Sequence, residues 1–458
     1  MKKILSVILI MTIIFATISQ GFTVFAGDEK SNSAILNFAD DLSRIIRQND
    51  VADSSASGDV SFDDVLSRVD YFFSKTQSSS SIYDNLYSDA FETKRLIVKA
   101  EKLDDYRGAI DCVSGYNDLY ILQYDSQLSA KKAYEHYLRS SLVEYVEPDT
   151  IYSSQEEEID VFIPEGDEGN EFDDATAAAI QWLSDKIGFT DIKERLAQRI
   201  EDNYVLVAVI DSGADTDHDL LKDRLVESNV NMSGSGDLNS AEDDYGHGTH
   251  VAGIIANNTL SNVKIKPYKV LNSEGKCSLS TIATALDMAV IDGADVVNIS
   301  ISGRSESPTL TASVDNAVAK DVNVVVAAGN SKLDLNKNYV SPACIESAIT
   351  VSATDKVDNL ASFSNYNGTI DIAAPGVDIE SSYLNNTYIS LNGTSMAAPQ
   401  VAAGLAILQS ISLDIPASEC EEKIEDFFAN QMKSRTLIKS EGVDKYNPYM
   451  SFLRFLLI

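Results

Sequence analysis

The chain has 458 residues, too many for one compact core when single domains run to about 100–200. Apolar residues make up 44% and charged residues 23%, ordinary globular usage that excludes a disordered or collagen-like chain. Asp and Glu outnumber Lys and Arg by 70 to 36, and the resulting net charge of −34 repels phosphate backbones and excludes nucleic acid as a partner.

Residues 1–26 read as a signal peptide. Met1-Lys2-Lys3 is basic, residues 4–18 are apolar apart from Ser6, Thr12 and Thr17, and Val24-Phe25-Ala26 offers small residues where a signal peptidase cuts. That run is shorter than the about 20 residues a membrane span needs, so a secreted protein is expected, with no stable membrane insertion after signal removal. Residues 27–90 are rich in Ser and Asp and hold two helical patterns, at 34–47 and 62–73, on flexible links. Nothing in them points to a function.

From 91 to 152 the pattern changes. Residues 95–100 alternate as a strand, a helix-like piece carries Leu103 and Tyr106, and 119–124 reads as a strand. A helix at 129–140 and a short strand at 143–146 follow. This order predicts a small ferredoxin-like α+β module. Residues 151–175 then hold ten acids and no base. Charge this dense repels itself, so a solvated linker is expected over 153–175.

After Thr176 short, fully apolar strands interleave with helices. Strands are expected at 205–210, 263–271, 296–301, 322–328 and 349–353, and helices at 248–256, 279–291 and 310–319. Such a pattern predicts one α/β domain over 176–458, a parallel sheet with helices on both faces. Sheets of this kind carry their sites at the carboxyl ends of the strands, and three polar residues stand out there. Asp211 directly follows the first strand, His247 opens a helix in Gly246-His247-Gly248-Thr249-His250, and Ser395 opens another in Asn392-Gly393-Thr394-Ser395-Met396-Ala397-Ala398-Pro399.

A serine hydroxyl needs a base to become a nucleophile, and an imidazole needs a carboxylate to fix its tautomer. The chain offers one of each. Asn330, after the strand that ends in Ala327-Ala328-Gly329, has an amide suited to hydrogen-bonding an oxyanion. Cys112, Cys277, Cys344 and Cys420 show no CxxC or Cys/His spacing, which excludes a disulfide scaffold and a structural zinc site.

At these residues the chain resembles the subtilisin-like serine proteases, or subtilases. Asp211-Ser212-Gly213, Gly246-His247-Gly248-Thr249-His250-Val251-Ala252-Gly253 and Gly393-Thr394-Ser395-Met396-Ala397-Ala398-Pro399 match their three catalytic motifs. Val297-Asn298-Ile299-Ser300, Ala328-Gly329-Asn330, Ala361-Ser362-Phe363-Ser364-Asn365 and Ala373-Ala374-Pro375-Gly376 extend the likeness over about residues 180–430. The resemblance implies a subtilisin-like fold and a secreted serine endopeptidase acting on polypeptides as a monomer. Asp211 would orient the imidazole, His247 would act as general base and acid, Ser395 would attack, and Asn330 would bind the oxyanion. Ser300-Ile301-Ser302-Gly303 would form one wall of the primary pocket and Ala327-Ala328-Gly329 the other. Gly275 and Cys277 would lie on the edge strand that pairs with substrate, with Cys277 lining the cleft where bulky thiol reagents would slow the enzyme.

Residues 91–152 resemble the inhibitory propeptide of that family, which makes the chain its own intramolecular inhibitor. A first cut is expected between Tyr152 and Glu158, with Tyr152 suiting an apolar primary pocket. No cofactor is required by this chemistry. His218-Asp219-Leu220-Leu221 and the short segment 256–263 depart from the family's calcium-binding pattern, leaving Asp215, Asp217, Asp243 and Asp244 as a weaker calcium grouping. Among the other histidines, His136 is expected at the surface, His218 in a loop near Asp211, and His250 packed beneath His247 without reacting. Two alternatives stand beside this reading: a dedicated maturation peptidase for one partner peptide, and a non-catalytic peptide-binding relative.

Overall fold

The computed structural model describes residues 94–115, 117–154, 172–196, 204–228 and 230–411. The expected signal peptide, the segment 27–90, most of the acidic linker, and Cys420 with the C-terminal stretch lie outside these residues. None of the described helices is long and apolar enough to cross a membrane.

The first part is a four-stranded sheet. Its strands β1 (Arg95–Lys99), β2 (Asp111–Ser114), β3 (Leu119–Gln123) and β4 (Tyr145–Pro148) lie in the order β2-β3-β1-β4, with β1–β3, β1–β4 and β2–β3 all antiparallel. Helix α1 (Gln127–Tyr137) connects β3 to β4 and packs on β1, and Ser126 caps it by accepting a hydrogen bond from Ser129 N. Leu96, Ile97 and Val98 of β1 are all buried, which requires both faces of the strand to be covered. Ile97 faces the larger unit, so Leu96 and Val98 face α1.

This departs from the expected order of three strands and two helices: β2 was not read as a strand, and the first helix is missing. No helix forms between β1 and β2, where Leu103 and Tyr106 were read as helical. Arg107 and Gly108 both have positive φ, 50° and 79°, which a right-handed helix does not allow. The segment's carbonyls are held instead by phenols from elsewhere: the Tyr137 hydroxyl donates to Asp105 O at 2.8 Å and the Tyr124 hydroxyl to Tyr106 O at 3.2 Å. The last strand also falls two residues later than expected.

The larger unit is built on a six-stranded, all-parallel sheet. Its strands are β6 (Val205–Asp211), β7 (Val263–Lys269), β9 (Val296–Ile299), β10 (Asn323–Ala327), β11 (Ile349–Thr354) and β12 (Ile370–Pro375), ordered β12-β11-β10-β9-β6-β7. Every residue of β6 is buried, and alternation divides it between two cores. Val205, Val207 and Val209 pack with helices α4 (His247–Asn258) and α7 (Thr394–Ile411), while Leu206, Ala208 and Ile210 pack with α5 (Leu279–Ile291) and α6 (Pro308–Val318). Each such fully buried valine or isoleucine contributes roughly 1.5–3 kcal/mol.

Beside β2 and β12, several further features were not anticipated in the sequence. Helix α2 (Asp174–Ile187) is capped by Asp173, whose carboxylate accepts from Thr176 N at 2.8 Å, so the last two acids of the expected linker begin a helix. Helix α3 (Phe189–Leu196) follows it directly. Strands β13 (Ile379–Tyr383) and β14 (Thr387–Leu391) form a hairpin. Finally, β5 (Ile151–Ser153), which overlaps the start of the expected linker, pairs antiparallel with β8 (Lys276–Ser278) of the larger unit.

Candidate active site

Strand β6 ends in Asp211 at the carboxyl edge of the sheet, and its carboxylate is fully buried. Asp211 Oδ1 accepts from Ser212 N at 2.8 Å and lies 2.7 Å from His247 Nδ1. With the Nδ1 proton donated to the carboxylate, the neutral ring carries its basic lone pair on Nε2. His247 is the first residue of α4 and is held there by close backbone contact. Gly246 has φ 103°, and a side chain on it would collide with the Tyr383 ring. A side chain on Gly248 would strike the Gly213 carbonyl, and Gly248 N donates to Ser212 Oγ at 2.8 Å.

Two further residues fasten this corner. Asp243 accepts from Tyr245 N, Gly246 N and Thr249 N, each at 2.9 Å, and from Thr249 Oγ1 at 2.6 Å, placing a carboxylate at the N-terminus of α4. The fully buried ammonium of Lys269 donates to Ser212 O at 2.9 Å and pairs with Asp244. Asp243 and Asp244 are therefore engaged in structural bonds, and so is the buried Asp215 of the same grouping, whose Oδ2 accepts from Asn386 N at 3.1 Å.

Ser395 is the second residue of α7 and is almost completely buried. Its Oγ donates to Ser300 O at 3.3 Å, and Ser300 Oγ donates back to Ser395 O at 3.1 Å. Ser300 directly follows β9, the strand next to β6. Asn330 lies three residues beyond β10. Its Oδ1 accepts from Thr394 N at 2.9 Å and Thr394 Oγ1 at 2.8 Å, which turns Nδ2 toward Gly393, beside the serine. Helices α4 and α7 pack on one another through Val251, Ala252, Met396 and Ala397. Asp211 and Asn330 thus follow β6 and β10, the two neighbours of β9, while His247 and Ser395 begin two helices that pack on one another.

The expected substrate-binding residues surround β5. Ser153 N donates to Ser302 O at 3.1 Å and Ser302 N to Ser153 O at 3.0 Å, while Tyr152 pairs with Cys277 and Ser154 N donates to Gly275 O at 3.2 Å. β5 is therefore bonded on both sides, to 300–303 and to β8. The Tyr152 ring is buried, shares a core cluster with Ile301 and lies directly over Gly303, where an added Cβ would come within 2.9 Å of it. Cys277 is buried as well, and burial pushes its thiol well above the ordinary range. In this state it is covered by β5 and does not face an open cleft.

Ala328 and Gly329 are fixed by Asn365, a residue whose role was not read from the sequence although its motif was noted. Asn365 Nδ2 donates to Ala328 O at 2.7 Å, Asn365 N to Gly329 O at 2.9 Å, and its Oδ1 accepts from Leu333 N at 2.8 Å. Of the other histidines, His250 bonds the carbonyls of Ile379 and Ile389 at 3.0 Å, and burial depresses its pKa to about 3, so it stays neutral and ties α4 to the β13–β14 hairpin. His218 is fully buried, with Nε2 3.0 Å from Thr387 O, and His136 is exposed on α1.

The model of the subtilase family matches residues 202–440, a stretch that contains Asp211, His247, Asn330 and Ser395. The chain belongs to the subtilase family. This subtilase is 38% identical to subtilisin DY of Bacillus licheniformis over 243 residues, 51% of this chain and 87% of that protein. It is 41% identical to subtilisin Savinase of Lederbergia lenta over 217 residues, 45% of this chain and 76% of that one. The alkaline protease of Alkalihalobacillus alcalophilus is also 41% identical over 217 residues, which make up 54% of its length. The chain is accordingly a serine endopeptidase of the subtilisin type, with polypeptides as substrates.

Proposed function

We propose that this subtilase is exported by residues 1–26 as a precursor, cuts itself free of an inhibitory propeptide, and works outside the cell as a monomeric endopeptidase of broad range. Ser395 is the nucleophile. His247 Nε2 takes its proton as the hydroxyl attacks the peptide carbonyl and returns that proton to the leaving amine. Asp211 holds the ring in the productive tautomer and stabilises the imidazolium that forms. The oxyanion receives hydrogen bonds from Asn330 Nδ2 and from Ser395 N at the start of α7. Acyl transfer of this kind draws on no cofactor.

The observation that carries the self-processing reading is β5, bonded on both sides by strands of the larger unit and leading toward Ser395. Ser153 faces Ser302, and Ser300, whose carbonyl accepts from Ser395 Oγ, lies two residues from Ser302, so we count two residues along the sequence from Ser153 to place the bond that is cut. The first cut then follows Gln155, inside the interval 152–158 expected from the sequence. This count also changes the role of Tyr152. Three residues before the cut, its ring fills an apolar pocket over Gly303 and Ile301, so the apolar preference read from it belongs to that upstream position and not to the primary pocket.

Ser395→Ala should accumulate as an uncleaved precursor, detected by mass, while the unmutated chain yields a new N-terminus at Glu156 before any trimming of the acidic linker. Processing by the alanine variant would overturn the assignment.

A further inference from the structure

The family resemblance places the primary pocket between 300–303 and 327–329, and Arg304 and Ser331 stand just beyond these two segments. Gly303 is fixed by paired backbone bonds with Ser341, at 2.9 and 2.8 Å, and Ser331 N donates to Asn365 Oδ1 at 3.2 Å, so both anchoring backbones are tied down. From one wall the Arg304 guanidinium reaches the other and donates to Ser331 Oγ at 3.2 Å. A serine hydroxyl is neutral and occupies one of five N–H donors. The side chain is exposed, free to trade that bond for one to a substrate group.

From this geometry we propose that Arg304 makes the primary pocket, within the enzyme's broad range, favour a long substrate side chain ending in an oxygen acceptor, glutamate first and glutamine next. A carboxylate matches the guanidinium fork and forms the stronger, charge-assisted bond, while an amide oxygen accepts the same donor without the charge. The chain's own sequence agrees with this. Gln155, the residue that the proposed first cut follows, and Glu156-Glu157-Glu158 all carry side chains ending in an oxygen acceptor. The net charge of −34 disfavours acidic peptides at long range, but salt screens that field beyond about 8 Å. At contact distance Arg304 dominates.

The inference rests on the proposed assignment of the two pocket walls. Its test is hydrolysis of peptides that differ only at the residue before the cut (Glu, Gln, Leu, Phe or Lys) by the mature enzyme and its Arg304→Glu and Arg304→Gln variants. The unmutated enzyme should show its highest kcat/KM with Glu, and the advantage should shrink as salt is raised. Arg304→Glu should lower the Glu-to-Leu ratio by about tenfold or more and raise the Lys-to-Leu ratio. Arg304→Gln should bring Glu and Gln to parity. A best rate with Phe or Leu, or a Glu-to-Leu ratio that neither variant moves, would overturn the inference while leaving the endopeptidase intact. If no peptide is cut and an organophosphonate does not label Ser395, the underlying assignment fails as well.

Discussion

Asp211, His247, Ser395 and Asn330 act through single bonds, so single substitutions should separate their roles. Asp211→Asn keeps the shape but offers Nδ1 an amide in place of a carboxylate, which favours the wrong tautomer. It should lower kcat by about 10⁴. Asn330→Ala should lower kcat by about 10²–10³ with little change in KM, the loss that follows removal of this donor from a subtilisin. His250→Asn should instead lower thermal stability, because its bonds run to Ile379 and Ile389 and not to a reacting group. Equal loss of kcat in the His250 and Asn330 variants would contradict this division. The four residues were legible because each sits in a short motif at the end of an apolar strand or the start of a helix. Asn365 was not, since it works by bonding a loop more than thirty residues away.

Two carboxylates of the proposed propeptide cap helices of the larger unit. Asp149 accepts from Ser280 N at 2.9 Å and Ser280 Oγ at 2.7 Å at the start of α5, and pairs with Arg95. Glu147 accepts from Thr309 N at 2.8 Å at the start of α6. Burial raises Glu147 to about 7, its bonds from Thr309 and Ser307 oppose the rise, and the nearby Asp149 adds to it. Released into water, Glu147 returns to its ordinary 4.5. A group whose pKa is higher in the bound state takes up a proton on binding, so its contribution is fully present below about 4.5 and lost as pH rises through about 7. Propeptide inhibition, measured as Ki against pH, should therefore weaken by one to two orders of magnitude between pH 5 and 8. Glu147→Gln should flatten that slope. A slope of the opposite sign would contradict the assignment. The strands of the parallel sheet could be read in advance because a strand buried on both faces is one apolar run. The loop 100–110 could not, because its form is set by the Tyr124 and Tyr137 hydroxyls, which reach it only after folding.

At the scale of the molecule, one apolar surface is shared between the two units. Ile97, Leu119 and Tyr152 pack into the same cluster as Leu279, Ile282, Leu286, Leu310 and Val314 of α5 and α6. Departure of the proposed propeptide would uncover those helix faces and Cys277 together. An apolar dye should brighten as maturation proceeds, and Cys277, shielded in the Ser395→Ala precursor, should react with thiol reagents at least tenfold faster in the mature enzyme. If labelling rates match in the two forms, β5 does not cover that strand. A change of pattern around the acidic stretch was visible in the sequence. The placement of Tyr152 was not, since it depends on a register with Ser302 fixed only by folding.

Everything proposed for this subtilase depends on Ser395 being a nucleophile activated by His247. Labelling the mature enzyme with an organophosphonate and mapping the adduct by peptide mass tests this directly. One phosphonyl group on the Ser395 peptide, absent from a His247→Ala chain that has been cleaved in trans by the unmutated enzyme, is the predicted result. An unlabelled protein, or an adduct on another residue, would contradict it.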